Sequence, residues 1–268
     1  MATGPEAPRP TSREEWRARA GALTRAREQG QICDDGWFEG MAAVFEGAYL
    51  AEEGPRAQSG FGGDDARWEV ARRPVADAID RDGSFLDIGC ANGHLLECIV
   101  RWSAYRVEPF GLDLAPAVAG LARRRLPQWS GRIFTGNALT WEPPRRFDFV
   151  RTELVYVPEE RRREYVQRLL DRFLEPGGRL IVCAYGSPRS GLAADRVGDR
   201  CVPTASRPKT SGRSTPPRAA ARSSSSPVCA LARAQRAARP AGARPGRARA
   251  ALLRPCSRAR APGRASPG

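Results

Sequence analysis

Short apolar runs alternate along this chain with segments whose apolar residues recur every three or four positions. Runs of the first kind cover residues 85–89, 109–114, 132–138, 147–150 and 179–182, and the segment that follows the first run, residues 95–102, has helical spacing. Apolar strands that alternate with amphipathic helices are typical of a parallel sheet covered by helices on both faces. We therefore predict an α/β fold with a mainly parallel sheet over residues 81–200.

The segment before this alternation, residues 1–80, reads as a helical cap. Ser12 and Glu15 have the spacing of a capping box, and Gly30 is a natural end for the helix that they begin. A second apolar set recurs at helical spacing and predicts a core-facing helix: Trp37, Met41, Val44, Phe45 and Ala48. The glycine-rich loop over residues 56–64 suits either a mobile lid or an ordinary linker.

The first apolar run ends in a turn of small residues. Its sequence is FLDIGCANG over residues 85–93, so that Gly89, Ala91 and Gly93 leave the backbone open to close approach by a ligand. The first N–H groups of the helix that follows favour negative charge. A dinucleotide fingerprint needs further glycines at positions 91 and 94, where this chain has Ala91 and His94. The pattern therefore argues against NAD.

This turn resembles motif I of the class I S-adenosylmethionine (SAM) dependent methyltransferases, whose acid two residues before the first glycine is here Asp87. The resemblance continues in order along the chain. Asp113 lies near the end of the second run, 26 residues after Asp87, and Asn137 lies near the end of the third. Residues 174–182 resemble the family's helix end, turn and fifth strand. The resemblance implies a Rossmann-like, doubly wound sheet and a methyltransferase that uses SAM as its cofactor.

In that family the acid after the second strand binds the ribose hydroxyls, and the turn after the third strand lies beside adenine. Asp113 and Asn137 take these places here, although Asp is more usual at the second. Asp113 also suits a helix N-cap, and Asn137 equally suits an ordinary turn. The cofactor-binding residues implied by the resemblance are Asp87, Gly89, Cys90, Ala91, Gly93, Asp113, Leu114, Asn137, Ala138 and Thr152.

The segment after the fourth strand lines the reacting methyl group in the resembling family. It reads RTELVY over residues 151–156, so Glu153 and Tyr156 are the candidate catalytic residues that orient or deprotonate an acceptor. Alternatively, Glu153 is solvated and Tyr156 packs on a helix that begins near Pro158. No Pro-Pro signature of DNA-methylating enzymes follows the strand, which favours a small-molecule acceptor. His94 lies in the first turn of a helix, a poor position for a general base.

The last part of the chain, residues 201–268, differs sharply in charge from the rest. It contains 14 Arg and one Lys without Asp or Glu, so it carries +15, and residues 1–200 carry a net −1 because the whole chain is +14. It has no Phe, Tyr or Trp, and we predict that it is disordered. Three accounts stay open: a nucleic-acid-binding arm, an inert extension, or out-of-frame sequence that begins near Arg200.

The third account predicts a sheet that stops at its fifth strand, with an unpaired edge. Two rival functions also remain. One is an RNA methyltransferase anchored by the basic tail, and the other is a SAM-binding fragment without catalytic activity. In either case nucleic acid would bind only through the tail.

Other compositional signals concern location and metals. The chain has no apolar run of 18 residues, and residues 1–10 lack the basic start and apolar centre of a secretory signal. Its seven cysteines are scattered without a C-x-x-C pair, which indicates reduced thiols and argues against a zinc site. We expect a cytoplasmic protein with no metal and no membrane partner, and the oligomeric state stays open.

Overall fold

The computed structural model describes residues 12–185 and 228–233, all within one compact unit. They form a six-stranded sheet with the order β3-β2-β1-β4-β5-β6, in which the first five strands are parallel and β6 is antiparallel to β5. The strands are β1 Gly83–Ile88, β2 Val107–Asp113, β3 Ile133–Thr135, β4 Phe147–Glu153, β5 Leu174–Ala184 and β6 Val228–Arg233. The predicted doubly wound, mainly parallel sheet is confirmed.

Six α-helices surround or precede these strands in the described part of the chain. The capping box at the start of α1 is present: the Ser12 hydroxyl accepts a hydrogen bond from the Glu15 N–H at 3.2 Å, and the Glu15 carboxylate accepts one from the Ser12 N–H at 3.1 Å. The helices are α1 Arg13–Glu28, α2 Asp34–Leu50, α3 Asp65–Asp77, α4 His94–Trp102, α5 Pro116–Arg125 and α6 Arg162–Arg168. None of the described helices is long and apolar enough to cross a membrane.

The apolar residues of the central strands alternate between two separate cores. Leu86 and Val150 pack on one face of the sheet with residues of α2 and α6, whereas Phe85 and Phe149 pack on the other face with residues of α3, α4 and α5. Successive side chains of a strand point to opposite faces, so strands that are apolar at every position are buried on both sides. This double burial explains why the strands read as continuous apolar runs.

The parallel register brings the ends of the central strands together. Asp87 of β1 lies beside Gly111 of β2 on one side and beside Arg151 of β4 on the other. Asp113, the last residue of β2, is paired with Thr135 at the end of β3. Polar residues that were separated in sequence therefore meet at the carboxyl edge of the sheet, where open α/β folds bind ligands.

The expectation that the sheet stops at its fifth strand is wrong. Residues 228–233 pair along β5, from Val228 opposite Ala184 to Arg233 opposite Arg179. An open edge strand presents unpaired N–H and C=O groups to any extended segment. The sequence VCALAR has no proline and contains a short apolar stretch, which the average composition of the tail conceals. The rest of the segment predicted to be disordered, and residues 1–11 and 186–200, lie outside the described residues.

Candidate functional site

A cleft lies between α2 and the carboxyl edge of the sheet. Its empty volume, including the part open to solvent, is about 690 Å³. Helix α2 forms one wall with side chains that are almost all apolar or aromatic: Trp37, Phe38, Met41, Phe45 and Tyr49. The facing wall is formed by the ends of β1 and β2, the turn after β3, the segment after β4 and one residue of α6: Ile88, Gly89, Leu112, Asp113, Leu114, Gly136, Asn137, Ala138, Val155, Tyr156, Val157 and Tyr165.

Asp113 is the charged residue of this lining, and its carboxylate is held by two backbone N–H groups. Oδ2 accepts a hydrogen bond from Ala91 at 2.7 Å, and Oδ1 accepts one from Ala115, the N-cap residue of α5, at 2.9 Å. Burial raises the pKa of Asp113 to about 6, although these N–H donors act in the opposite direction. Since each carboxylate oxygen has two lone pairs, the group can still accept bonds from a ligand.

The glycine turn contributes one residue, Gly89, to the lining of the cleft. Gly89 lines the cleft at φ +75°, and its N–H bonds the Leu112 carbonyl at 2.8 Å. Ala91 has φ +49°, a conformation that residues with a Cβ rarely adopt, and its N–H is the one that Asp113 holds. The Cys90 N–H also bonds the Leu112 carbonyl, at 3.2 Å, so three backbone donors fix the turn to the end of β2.

Cys90 and Gly93 were also predicted to contact the cofactor, but neither lines the cleft. The Cys90 sulfur packs on Gly111 within the sheet–helix core, where a Cβ on that glycine would be 2.7 Å away. Gly93 packs beneath α5, because a Cβ there would lie 2.5 Å from the Leu126 side chain. Both residues therefore shape the turn from behind.

Asn137 is a turn residue that also lies at the surface of the cleft. Its side-chain oxygen accepts a hydrogen bond from the Leu139 N–H at 3.0 Å, which is an Asx turn. The same residue lines the cleft together with Gly136 and Ala138. The Gly136 N–H bonds the Asp113 carbonyl at 2.9 Å, so the turn is tied to the strand that carries the acid.

Arg151 is buried at the end of β4 and connects most of the polar side chains there. Its Nη1 donates to Asp87 Oδ1 and to the Tyr156 hydroxyl, each at 3.1 Å, and its Nη2 donates to Glu153 and, at 3.2 Å, to the Tyr185 hydroxyl. Its side chain is only 3% exposed. This residue was not identified from the sequence. The feature that could have pointed to it is a positively charged residue within an otherwise apolar strand.

Asp87 lies behind the glycine turn and does not line the cleft. Its Oδ2 is buried without a protein partner. Burial raises the pKa of Asp87 to about 6, against the opposing effect of the Arg151 charge. Thr152, another predicted cofactor contact, is likewise buried away from the cleft, where its hydroxyl lies 2.5 Å from that of Tyr165.

Tyr156 packs against the glycine turn, and this differs from the alternative in which it packs on the following helix. A Cβ on Gly89 would lie 2.5 to 2.6 Å from the Tyr156 ring and hydroxyl. The hydroxyl donates to Glu153 Oε1 at 2.8 Å. Glu153 is mostly buried, with a side chain 18% exposed, so it is not the solvated residue of the alternative interpretation.

The remaining polar candidates lie elsewhere. His94 stacks on Trp68 with ring centroids 4.9 Å apart, and burial lowers its pKa. The loop over residues 56–64 is bordered by Pro55, whose carbonyl accepts a hydrogen bond from Asn92 of the glycine turn at 2.8 Å, and its Phe61 packs edge-on to Trp68.

Among the described residues, no group of three or more His, Cys, Asp or Glu side chains has the geometry to hold a metal ion.

Comparisons with known proteins give a family for the central part of the chain. Residues 85–178 match the family model described as a methyltransferase domain. No protein with a curated function matches the sequence.

Solved structures with similar folds include phosphoethanolamine N-methyltransferase 1 of Haemonchus contortus, at 14% identity and a TM-score of 0.47, over 61% of this chain and 36% of that one. The N-methyltransferase NodS of Bradyrhizobium japonicum aligns at 18% identity and a TM-score of 0.36, over 61% of this chain and 73% of that one. A SAM-dependent methyltransferase of Thiobacillus denitrificans aligns at 21% identity and 0.33, over 44% and 48%. This chain thus spans about a third of the length of the first of them.

Proposed function

We propose that this chain, which carries a methyltransferase domain of the class I, SAM-dependent type, transfers a methyl group from SAM to a small-molecule acceptor. The observation that carries the proposal is the convergence, within the matched residues, of Gly89, Asp113 and Asn137 on one cleft at the carboxyl edge of a parallel sheet. This is the edge at which such sheets bind nucleotides.

The residues of the cleft fit the adenosine end of SAM. Asp113 offers carboxylate oxygens to the ribose hydroxyls, and Asn137 offers an amide to adenine. Apolar side chains such as Leu114 and Ala138 suit the faces of a flat ring. Gly89 presents a backbone without a side chain, as the close approach of a ligand requires.

Bound SAM supplies an electrophilic methyl group on a sulfonium. The protein has to hold the acceptor in line with that methyl, with the nucleophilic atom roughly 3 Å away, and to exclude water. The aromatic wall of α2, formed by Trp37, Phe38 and Phe45, covers the cleft and serves both purposes.

The lining of the cleft favours an acceptor without negative charge. Asp113 is its charged residue, and the rest of the described lining is apolar, aromatic or amide. A phosphate or carboxylate on the acceptor would lose its hydration there without gaining a cationic partner. The near-neutral charge of residues 1–200 also gives little attraction for a nucleic acid.

We place Tyr156 and Glu153 on the acceptor side as candidates for orienting it or receiving its proton. Tyr156 lines the cleft next to Glu153, so a hydroxyl and a carboxylate are both available on this side of the cleft. Glu153→Gln and Tyr156→Phe should each lower turnover; unchanged turnover in both variants would remove the pair from the mechanism.

The proposal is tested by the formation of S-adenosylhomocysteine from SAM in the presence of uncharged phenols, amines and alcohols, with RNA as a separate acceptor. The wild type should respond to a member of the small-molecule panel, and Asp113→Ala should lose the response. Asp171→Asn, an exposed acid remote from the cleft, is the matched control and should keep it. Transfer to RNA alone, abolished by deletion of residues 201–268, would instead support the tail-anchored alternative. SAM binding without transfer to any acceptor would support a non-catalytic binder.

A further inference from the structure

We propose that Tyr156 is a gate that closes the glycine turn and must turn outward before the amino-acid end of the cofactor can bind. This inference rests on the proposed use of SAM. It concerns one end of the ligand only, because Tyr156 covers Gly89 whereas Asp113 and Asn137 lie along the rest of the cleft.

The steric evidence is the position of the Tyr156 ring. A single added carbon on Gly89 would lie 2.5 and 2.6 Å from two carbons of the ring and 2.6 Å from the hydroxyl oxygen. Real Cβ contacts are never so short, so the ring already fills the space that the missing side chain of Gly89 leaves. A ligand that lies against the backbone of Gly89 therefore needs Tyr156 to move.

Two hydrogen bonds hold the gate closed. The Tyr156 hydroxyl accepts one from Arg151 Nη1 at 3.1 Å and donates one to Glu153 Oε1 at 2.8 Å. Tyr156 ends a single 3₁₀ turn, Leu154–Tyr156, and its neighbour Val155 is 51% exposed. A turn that borders solvent has room to swing the ring outward without disturbing the buried strand β4.

The groups behind the gate match the charges of an α-amino acid. When the Tyr156 hydroxyl leaves, Arg151 Nη1 loses one acceptor, which a ligand carboxylate can replace. Asp87 Oδ2 is buried with no protein partner, and an ammonium group can donate to it. The cofactor would thus exchange one set of hydrogen bonds for another, so that opening costs little once the complete ligand is present.

The gate predicts different behaviour for two ligands that share the adenosine end. 5′-Methylthioadenosine lacks the amino-acid end and should bind without moving Tyr156, whereas S-adenosylhomocysteine should bind only to the open state. A ligand that needs a minor state shows an affinity reduced by the population of that state. Removal of the gate should therefore strengthen the binding of S-adenosylhomocysteine alone.

Calorimetric titration of both ligands into the full chain tests this. Tyr156→Ala should bind S-adenosylhomocysteine roughly tenfold more tightly than the wild type, with an affinity for 5′-methylthioadenosine within about twofold. Tyr156→Phe keeps the ring but loses both hydroxyl bonds, so its gain should be intermediate. Tyr105→Ala removes an exposed tyrosine that does not line the cleft; it is the matched control and should leave the ratio of the two affinities unchanged.

The outcomes separate the gate from the proposed function. Suppose that 5′-methylthioadenosine binds every variant, but Tyr156→Ala either leaves the ratio of the two ligands' affinities unchanged or binds S-adenosylhomocysteine more weakly. The gate is then wrong, and the adenosine site stands. If neither ligand binds the wild type or Tyr156→Phe, the proposed function is wrong and the gate with it. Binding of 5′-methylthioadenosine also reports that each variant is folded.

Discussion

Arg151 determines the electrostatics of the edge of the sheet. Asp87 and Glu153 are both within hydrogen-bond distance of its guanidinium, and all three side chains are mostly buried. A buried carboxylate is stable only when it is paired, and removal of one partner leaves an uncompensated charge in the interior. The charged groups behind the glycine turn are therefore one unit rather than three independent residues.

The variant Arg151→Met should accordingly be strongly destabilised. We expect its free energy of unfolding in urea to fall by about 3–5 kcal/mol, as for other broken buried ion pairs. Arg73→Met removes an exposed guanidinium that pairs with Glu69 on α3, and it should cost less than about 1 kcal/mol. Equal losses in the two variants would contradict the role of Arg151.

The ionisation of Asp113 should make binding of the adenosine end depend on pH. Ribose hydroxyls need an ionised carboxylate, and burial raises the pKa of Asp113 to about 6. Because protonation occurs as the pH falls through this value, the affinity for 5′-methylthioadenosine should weaken roughly tenfold between about pH 8 and about pH 5. Calorimetry over this range measures the effect. An equally steep profile in Asp113→Asn would assign it to another group.

The sequence could identify the residues whose position follows from their own strand alone. Asp113 and Gly89 follow apolar strands directly, and their backbone position alone predicts that they reach the edge of the sheet. Arg151 could not be identified, because its burial depends on Asp87 and Tyr185, which are distant in sequence. The inward placement of Tyr156 depends in the same way on a contact with Gly89.

At the scale of elements, α2 forms one wall of the cleft and is itself positioned by α1. The two helices pack tightly at Gly47, where an added Cβ would lie 1.9 Å from the Trp16 ring. The sequence predicted both helices from their periodicity and the α1 capping box. It predicted a helical cap or lid over residues 1–80, but not that α2 in particular forms a wall of the cleft, because that depends on tertiary packing.

A side chain at Gly47 should therefore displace the wall of the cleft. We expect Gly47→Leu to lower the free energy of unfolding by about 2–3 kcal/mol through overpacking against Trp16. The double variant Gly47→Leu with Trp16→Ala should recover part of this loss, since the two residues share one space. Gly36→Ala, on the same helix with neighbours no nearer than 3.7 Å, should instead be neutral or stabilising. Additive losses in the double variant would contradict the packing account.

At the scale of the whole molecule, the sixth strand covers an edge that the sequence left exposed. Residues 228–233 pair with β5, so the sheet ends in an antiparallel strand drawn from the basic segment. The composition of that segment predicted no strand, because a run of six residues contributes little to its average. Its origin as an arm, an extension or out-of-frame sequence stays a set of hypotheses.

Deletion of residues 201–268 should expose the β5 edge and lower stability. We expect the shortened chain to self-associate in light scattering and to melt several degrees below the full chain. A monodisperse shortened chain with an unchanged melting temperature would show that β6 contributes nothing to the fold in solution. The same deletion variant is the control in measurements of RNA binding. Any RNA binding by the full chain should weaken as the salt concentration rises, and the shortened chain should lack this salt-dependent binding.

The central claim is that the cleft at the carboxyl edge of the sheet binds SAM, and calorimetric titration of the purified full chain with SAM, with NAD as control, tests it most directly. Gly89, Asp113 and Asn137 predict saturable binding of SAM at micromolar concentration and none of NAD, because the turn lacks the glycines of a dinucleotide site. A folded chain that binds NAD, or that binds neither ligand, would contradict the account.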